Sequence, residues 1–222
     1  MIFLAGQVNA QDKPAMKSEK DKISYIIGMD IGNNFKKQGV EVDPDILARG
    51  IKDALSGAKP QLTEQEAKDV MASFEKEMRA KQEAMRKTAG EKNKKEGEQF
   101  LAANKSKEGV KTLPSGLQYK VIKAGTGKKP QLTDTVTVQY RGTLIDGTEF
   151  DSSLRRGQPA TFEVNKIIPG WTEALQLMQE GAKWQLFIPP NLAYGERGAG
   201  QQIGPNATLI FEVELVSIQA KK

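Results

Sequence analysis

The apolar residues of this chain change their spacing once, and that change limits what it can fold into. From Ser18 to about Gly109 they recur at three- and four-residue steps; beyond the turn-rich stretch GVKTLPSG, Gly109–Gly116, they alternate. A spacing near 3.6 lays one apolar stripe along a helix, whereas a spacing of 2 gives a strand one apolar face. A helical part is therefore followed by a sheet, and 222 residues suffice for one or two domains with a real core.

The helical part reads as three elements. Ile23, Ile26, Ile27, Ile31 and Phe35 mark the buried stripe of the first, which stops at Gly39. Gly28 and Gly32 give it a GxxxG spacing suited to close helix contact. Asp43-Pro44 opens the second, with aspartate as N-cap and proline at the first helical position. Ile46, Leu47, Ile51, Ala54 and Leu55 form its stripe, and Gly57 closes it. Thr63 and Glu66 make a capping box for a third, long helix without proline. Val70, Met71, Phe74, Met78 and Met85 stripe its first half, but from Arg86 to Gln99 almost nothing is apolar. That second half is expected to be solvated and held by charge pairs, with Gly90 and Gly97 each weakening it by about 1 kcal/mol relative to alanine. The stripes need covering. A second copy of the chain is the simplest cover; an adaptable, methionine-rich surface for client proteins is the other reading.

Past Gly116 the alternating sets are Leu117, Tyr119 and Val121; Val136, Val138 and Tyr140; Trp184, Leu186 and Ile188; and Leu209, Phe211, Val213 and Leu215. These are antiparallel-strand patterns with one buried face. Between them PGWTEALQLMQEG reads as a helix opened by Pro169 and stopped by Gly181, with Trp171, Ala174, Leu175 and Met178 on one side. Asp146-Gly147, in DGTEFDSS, marks a hairpin turn. The fold class is α+β: an all-α part with a long helix, then an antiparallel sheet wrapped on one short helix. The divisions expected are 1–17 outside the fold, 18–108 helical, 109–116 linker and 117–222 sheet domain.

Composition removes whole classes of chemistry. The chain has no His and no Cys, so a thiol nucleophile, a Ser-His-Asp triad and a histidine base are all excluded, and the usual zinc ligands are missing. No metal and no cofactor is expected. Its 33 basic and 28 acidic residues are interleaved, so the net charge of +5 does not describe the one-sided basic face of a nucleic-acid binder. MIFLAGQVNA is apolar at first and places Val8 and Ala10 at signal-peptidase spacing; it reads as the tail of a secretion signal. No other run approaches the roughly 20 apolar residues of a membrane span.

Asp151 has no obvious second carboxylate placed to work with it, and paired-acid hydrolysis is not indicated. Its neighbours in the text are Tyr140, Phe150, Phe162, Ile167, Ile168, Trp171, Tyr194 and Phe211. Each alone reads as core. Together they exceed what a thin sheet-on-helix core needs, which suggests an apolar pocket with a few polar groups.

VTVQYRGTLIDGTEFDSS, IIPGWTEALQLMQEG, IPPNLAYGERGAG and IGPNATLIFEVELV resemble, in order and spacing, the FKBP family of peptidyl-prolyl isomerases over about Leu113–Ile218. The front half, with YIIGMDIGNNFKKQGVEVDPDILARGIKDAL and the long charged helix, is similar to the macrophage infectivity potentiator subgroup of Gram-negative bacteria. The resemblance implies a half-barrel sheet folded over a helix with a proline-binding pocket between them, and a dimerising helical part. It implies Asp151, Tyr194 and Tyr140 as catalytic residues. Substrate contacts would fall to Phe150, Phe162, Ile167, Ile168, Trp171, Ile203 and Phe211, with the Trp171 indole as floor. Implied partners are proline-containing unfolded or partly folded polypeptides, the family's macrolide inhibitors and a second copy of the chain, in the periplasm or otherwise exported. A dimeric holdase chaperone with secondary isomerase activity is the alternative. The loop Glu196–Gly204 departs from the family pattern at Arg197, Ala199 and Gln201-Gln202, and only Ile203 keeps the apolar position before GPNATL. The resemblance therefore leaves selectivity at the pocket rim open.

Overall fold

A computed structural model describes residues 16–219. The segment read as a secretion-signal tail lies outside those residues. The chain divides into two compact units, one ending at Val70 and the other starting at Met71.

In the first unit, α1 (Glu19–Gln38) starts with a reciprocal capping box between Ser18 and Asp21 and ends at Gly39. α2 (Pro44–Ser56) follows, its first amides at Asp45 and Ile46 donating to the Asp43 carboxylate at 2.9 and 3.0 Å. It ends at Gly57, so both stops fall where the sequence places them. Neither helix buries a residue: Ile23, Ile26, Ile27, Ile46, Ile51 and Leu55 are all exposed. The stripes predicted from periodicity exist, but this one chain leaves them uncovered.

α3 (Glu64–Asn104) is 41 residues long, about 60 Å at 1.5 Å per residue. The Thr63–Glu66 capping box forms, with the Thr63 amide donating to the Glu66 carboxylate at 2.8 Å and the Glu66 amide donating to the Thr63 hydroxyl at 3.2 Å.

The second unit is built on a seven-stranded antiparallel sheet in the order β1-β2-β6-β7-β3-β4. The strands are β1 (Val110–Thr112), β2 (Gln118–Lys123), β3 (Thr135–Leu144), β4 (Glu149–Ser152), β5 (Ala160–Glu163), β6 (Lys183–Ile188) and β7 (Leu209–Gln219). β3 runs its whole length beside β7, and its other edge is shared by β5 near one end and β4 near the other. The β3–β4 turn has a three-residue loop: the Leu144 amide donates to the Thr148 carbonyl at 2.9 Å, and Gly147 takes φ 87°. The Asp146 side chain accepts the Thr148 amide at 2.9 Å and holds that loop.

One sheet face packs on α4 (Pro169–Leu177). Val136, Val138, Leu186, Ile188, Val213 and Leu215 meet Trp171, Ala174, Leu175 and Met178, all buried. α4 stops at Leu177 rather than at Gly181, which instead turns the chain into β6 at φ 85°. The segment read as linker contains β1, and Val121, read as inward-facing, is 40% exposed near the end of the sheet.

The opposite sheet face is where the sequence reading misjudged α3. Its second half is not simply solvated. Gly90, Gly97 and Asn104 are buried, Asn93 and Phe100 partly so; their 3-4-3-4 spacing is one helix face. The Phe100 ring lies 6.0 Å from that of Phe187, which faces away from α4. Asn104 donates to the Gln118 side chain at 2.9 Å, and Gln118 donates to the Leu101 carbonyl at 2.9 Å. A Cβ on Gly97 would sit 2.3 Å from the Thr208 hydroxyl, and one on Gly90 3.1 Å from Pro205. These glycines weaken an isolated helix, but here they let its backbone approach the segment that leads into β7. The charge pairs expected along α3, such as Lys92–Glu96 at 3.9 Å, are exposed and contribute little.

Candidate functional site

Pro169 at the first turn of α4 fixes the chain direction just after Ile168 and sets Trp171 against the sheet. The Trp171 ring meets three others edge-on: Tyr140 of β3 at 5.2 Å and 88°, Phe162 of β5 at 5.8 Å and 82°, and Phe211 of β7 at 5.2 Å and 83°. Phe150 of β4 meets Phe211 at 5.4 Å and 85°. Edge-to-face pairs of this kind each contribute about 0.5–1.5 kcal/mol beyond burial, so the rings fix one another's orientation. Gly142 makes room for two of them: a Cβ there would lie 2.7 Å from both the Phe150 and Phe211 rings.

Above this floor opens a cavity of about 840 Å³. All ten residues singled out from the sequence line it: Tyr140, Phe150, Asp151, Phe162, Ile167, Ile168, Trp171, Tyr194, Ile203 and Phe211. Lys166 and the loop Ala199–Gln202 complete the rim. The Trp171 indole nitrogen is buried with no partner in the protein, and Tyr194, 40% exposed, presents its ring to the mouth.

The polar part of the cavity is compact. Tyr140 donates its hydroxyl hydrogen to Asp151 Oδ2 at 2.5 Å. The Ser152 amide donates to Oδ1 at 2.8 Å, and the Arg156 guanidinium pairs with the same oxygen. Arg156 also donates to the Tyr140 hydroxyl at 2.7 Å and lies over that ring, 5.4 Å from its centre. Burial by itself pushes the Asp151 carboxyl up, but the hydrogen bonds from Tyr140 and Arg156, the Arg156 charge and the Ser152 amide outweigh it and hold it below its usual value. Burial and the bond to Asp151 push the Tyr140 phenol up; burial and the Asp151 charge do the same at Tyr194. At neutral pH the site therefore holds a carboxylate and two protonated phenols.

Ser153 keeps Asp151 in place. Its hydroxyl accepts the Tyr140 amide at 2.8 Å and donates to the Gln139 side chain at 2.6 Å, pinning the end of β4 to β3. Arg156 and Gly142 were not singled out in the sequence. Arg156 is one of two arginines in a loop, and nothing local distinguishes it from Arg155; a lone glycine inside the alternating run of β3 was the available signal for Gly142. Among the described residues no group of three or more His, Cys, Asp or Glu side chains is arranged to hold a metal ion.

A sheet folded over one short helix thus leaves an aromatic cup with one carboxylate on its wall, held by Tyr140, Ser152 and Arg156. Comparison with known proteins names the class. Residues 126–216 match the model of the FKBP-type peptidyl-prolyl cis-trans isomerase, and residues 20–121 match the domain amino-terminal to it. The chain is 55% identical to the outer membrane protein MIP of Legionella longbeachae, over 98% of this chain and 94% of that protein. It is 48% identical to the peptidyl-prolyl cis-trans isomerase Mip of Coxiella burnetii, over 93% and 90% of the two chains. The crystal structure of FkpA from Escherichia coli superposes with a TM-score of 0.72 at 39% identity, covering 92% of this chain and 99% of that one. The chain belongs to the FKBP-type peptidyl-prolyl cis-trans isomerases.

Because its folded pKa is depressed, Asp151 contributes stability that is present above the unfolded carboxyl value of about 3.9 and lost as pH falls through the folded one. Carbon-13 NMR of the Asp151 carboxyl should give a midpoint below 3.8, and Arg156→Leu should raise it. A midpoint at or above the ordinary carboxylate range in the unaltered protein would contradict the arrangement.

Proposed function

We propose that this isomerase speeds rotation about X-Pro bonds without forming a covalent bond and without transferring a proton. The observation that carries the reading is the state of Asp151: ionised, its oxygens occupied by Tyr140, Arg156 and Ser152, on the wall of an otherwise apolar cavity. A carboxylate so occupied has a low proton affinity and is a poor base.

The barrier itself is amide resonance, about 18–20 kcal/mol. A twisted amide is less dipolar than a planar one, so an apolar cup disfavours the planar ground state relative to the transition state. Catalysis requires that the twisted form be bound better than either planar isomer, and each 1.36 kcal/mol of that difference is about tenfold in rate. In our reading Trp171, Phe211, Ile168 and Phe162 hold the prolyl ring. The Tyr194 hydroxyl and the Ile168 amide donate to substrate carbonyls. Asp151, oriented by Tyr140, acts through its field near the rotating carbonyl. Phe150, Ile167 and Ile203 shape the rim. A family macrolide would occupy the same cup and compete with peptide.

Isomerisation of an Ala-Leu-Pro-Phe tetrapeptide tests these roles. Tyr194→Phe should lower kcat/KM by roughly 2–10-fold, the loss of one neutral hydrogen bond. Asp151→Leu, folded, should retain measurable catalysis, and the rate of the unaltered enzyme should be flat between about pH 5 and 9, away from ordinary carboxyl and phenol values. Abolition by Asp151→Leu, or a rate that tracks a carboxyl titration, contradicts the roles proposed.

We assign the helical segment 18–108 to dimerisation, through α1 and α2, and 117–222 to isomerisation. The uncovered faces of α1 and α2 support this, and a Cβ at Gly28 or Gly32 would meet nothing within 4 Å, leaving space for another helix. Sedimentation equilibrium should give twice the chain mass, reduced to a single mass by Ile27→Glu. A monomer in the unaltered protein would refute dimerisation. Export is proposed with it: one relative is named an outer membrane protein, and among the described residues no helix is long and apolar enough to cross a membrane. Fractionation of the natural host should recover the protein outside the cytoplasm; a purely cytoplasmic pool would refute this.

A further inference from the structure

We propose that the second half of α3 is a working part of the isomerase site, and that Asn93 is a positioning residue fixing the Ile203 rim of the proline pocket. The proposal rests on the pocket reading above, because it concerns how one wall of that pocket is held.

The rim is a short loop whose two ends are tied together. The Ala199 amide donates to the Ile203 carbonyl at 2.8 Å, and the Ile203 amide donates to the Ala199 carbonyl at 3.1 Å. Gly198 and Gly200 within or beside it take positive φ, 62° and 57°. Such a loop has many conformations unless something outside it selects one.

α3 supplies that restraint from behind. The residue after Ile203 is Gly204, where a Cβ would lie 2.9 Å from Asn93 Nδ2. Asn93 Nδ2 donates to the next carbonyl, Pro205, at 2.8 Å. Asn206 follows at φ 55°, its amide donating to the Gly195 carbonyl at 2.8 Å and its side chain donating to the Gly90 carbonyl at 3.5 Å. Thr208 then abuts Gly97. Further out, Arg86 donates to the Arg197 carbonyl at 2.6 Å. The stretch from Gly204 to Thr208 is thus clamped along one face of a regular helix. Its two ends lead into pocket residues: Ile203 on one side, Phe211 in β7 on the other.

Asn93 is the polar contact nearest the rim, two residues from Ile203. It does not line the cavity and is therefore a positioning residue. A wall held in place before substrate arrives costs less to order on binding. Removing the Asn93 bond should show as weaker binding, with the chemistry left intact once substrate is bound.

The test uses the full-length protein and compares the unaltered chain with Asn93→Ala and with Asn93→Asp. The aspartate has the same size but turns a donor into an acceptor facing the Pro205 carbonyl. For the Ala-Leu-Pro-Phe tetrapeptide, KM should rise by about 3–10-fold in both variants while kcat stays within about twofold. Amide hydrogen exchange at Ile203 should speed up while exchange in β3 and β7 does not change. Asn93→Gln, which keeps the amide donor, should recover part of the loss. If KM and Ile203 exchange are unchanged in both Ala and Asp variants, the proposal is wrong. It is equally wrong if thermal stability falls with no change in KM, because α3 would then be only a brace. Tyr194→Phe measured in parallel separates the two failures: kcat/KM unchanged there means that the pocket reading has failed, whereas a fall there with KM unchanged in the Asn93 variants means that only this proposal has.

Discussion

The isomerase half depends on a mismatch of lengths. α4 has nine residues, about 14 Å of helix, while β3 and β7 have ten and eleven, about 33–37 Å of strand. One helix that short cannot cover the apolar face of those strands. Where it does, Leu175, Met178, Val136 and Val213 make a closed core. Where it runs out, at its Trp171 end, the inward-facing rings of Tyr140, Phe162 and Phe211 are left with a cavity above them. The pocket is the uncovered remainder of the core, and the same strands make both.

That origin explains the chemistry. A remainder of core is apolar and pre-formed, as the proposed seating of a prolyl ring and disfavouring of a planar, dipolar amide require. The polar groups are few, and those around Asp151 are mutually satisfied. Tyr140, Asp151 and Arg156 form a closed set in which each group has a partner, and together their bonds outweigh the desolvation cost of a charge at the cavity wall. A reaction that breaks no covalent bond needs nothing more reactive, and a chain without histidine or cysteine lacks nothing it requires.

Much of this was legible in the residues. Helix ends at Gly39, Gly57 and Thr63 followed from capping chemistry, which is local. The inward sets of β3, β6 and β7 followed from strict alternation. Residues of the pocket were readable because motif order places them, although periodicity alone assigned each to the core. What stayed hidden were contacts made by residues that look non-adhesive. The buried face of α3 is made largely of Gly90, Asn93, Gly97 and Asn104, so an apolar-periodicity reading found nothing there; its signal is a 3-4-3-4 repeat of small and amide side chains. Val121 failed for the opposite reason, since it alternates correctly but lies where the sheet is no longer covered. Arg156 was hidden because a loop arginine gains its role only from the fold.

The central claim is that no proton moves as the X-Pro bond turns. The solvent isotope effect on kcat/KM for tetrapeptide isomerisation tests it most directly. The account predicts a ratio of about 1 in light and heavy water, as expected where no general acid or base acts in the transition state. A ratio of about 2 or more would mean that Asp151 or one of the phenols transfers a proton, and would contradict it.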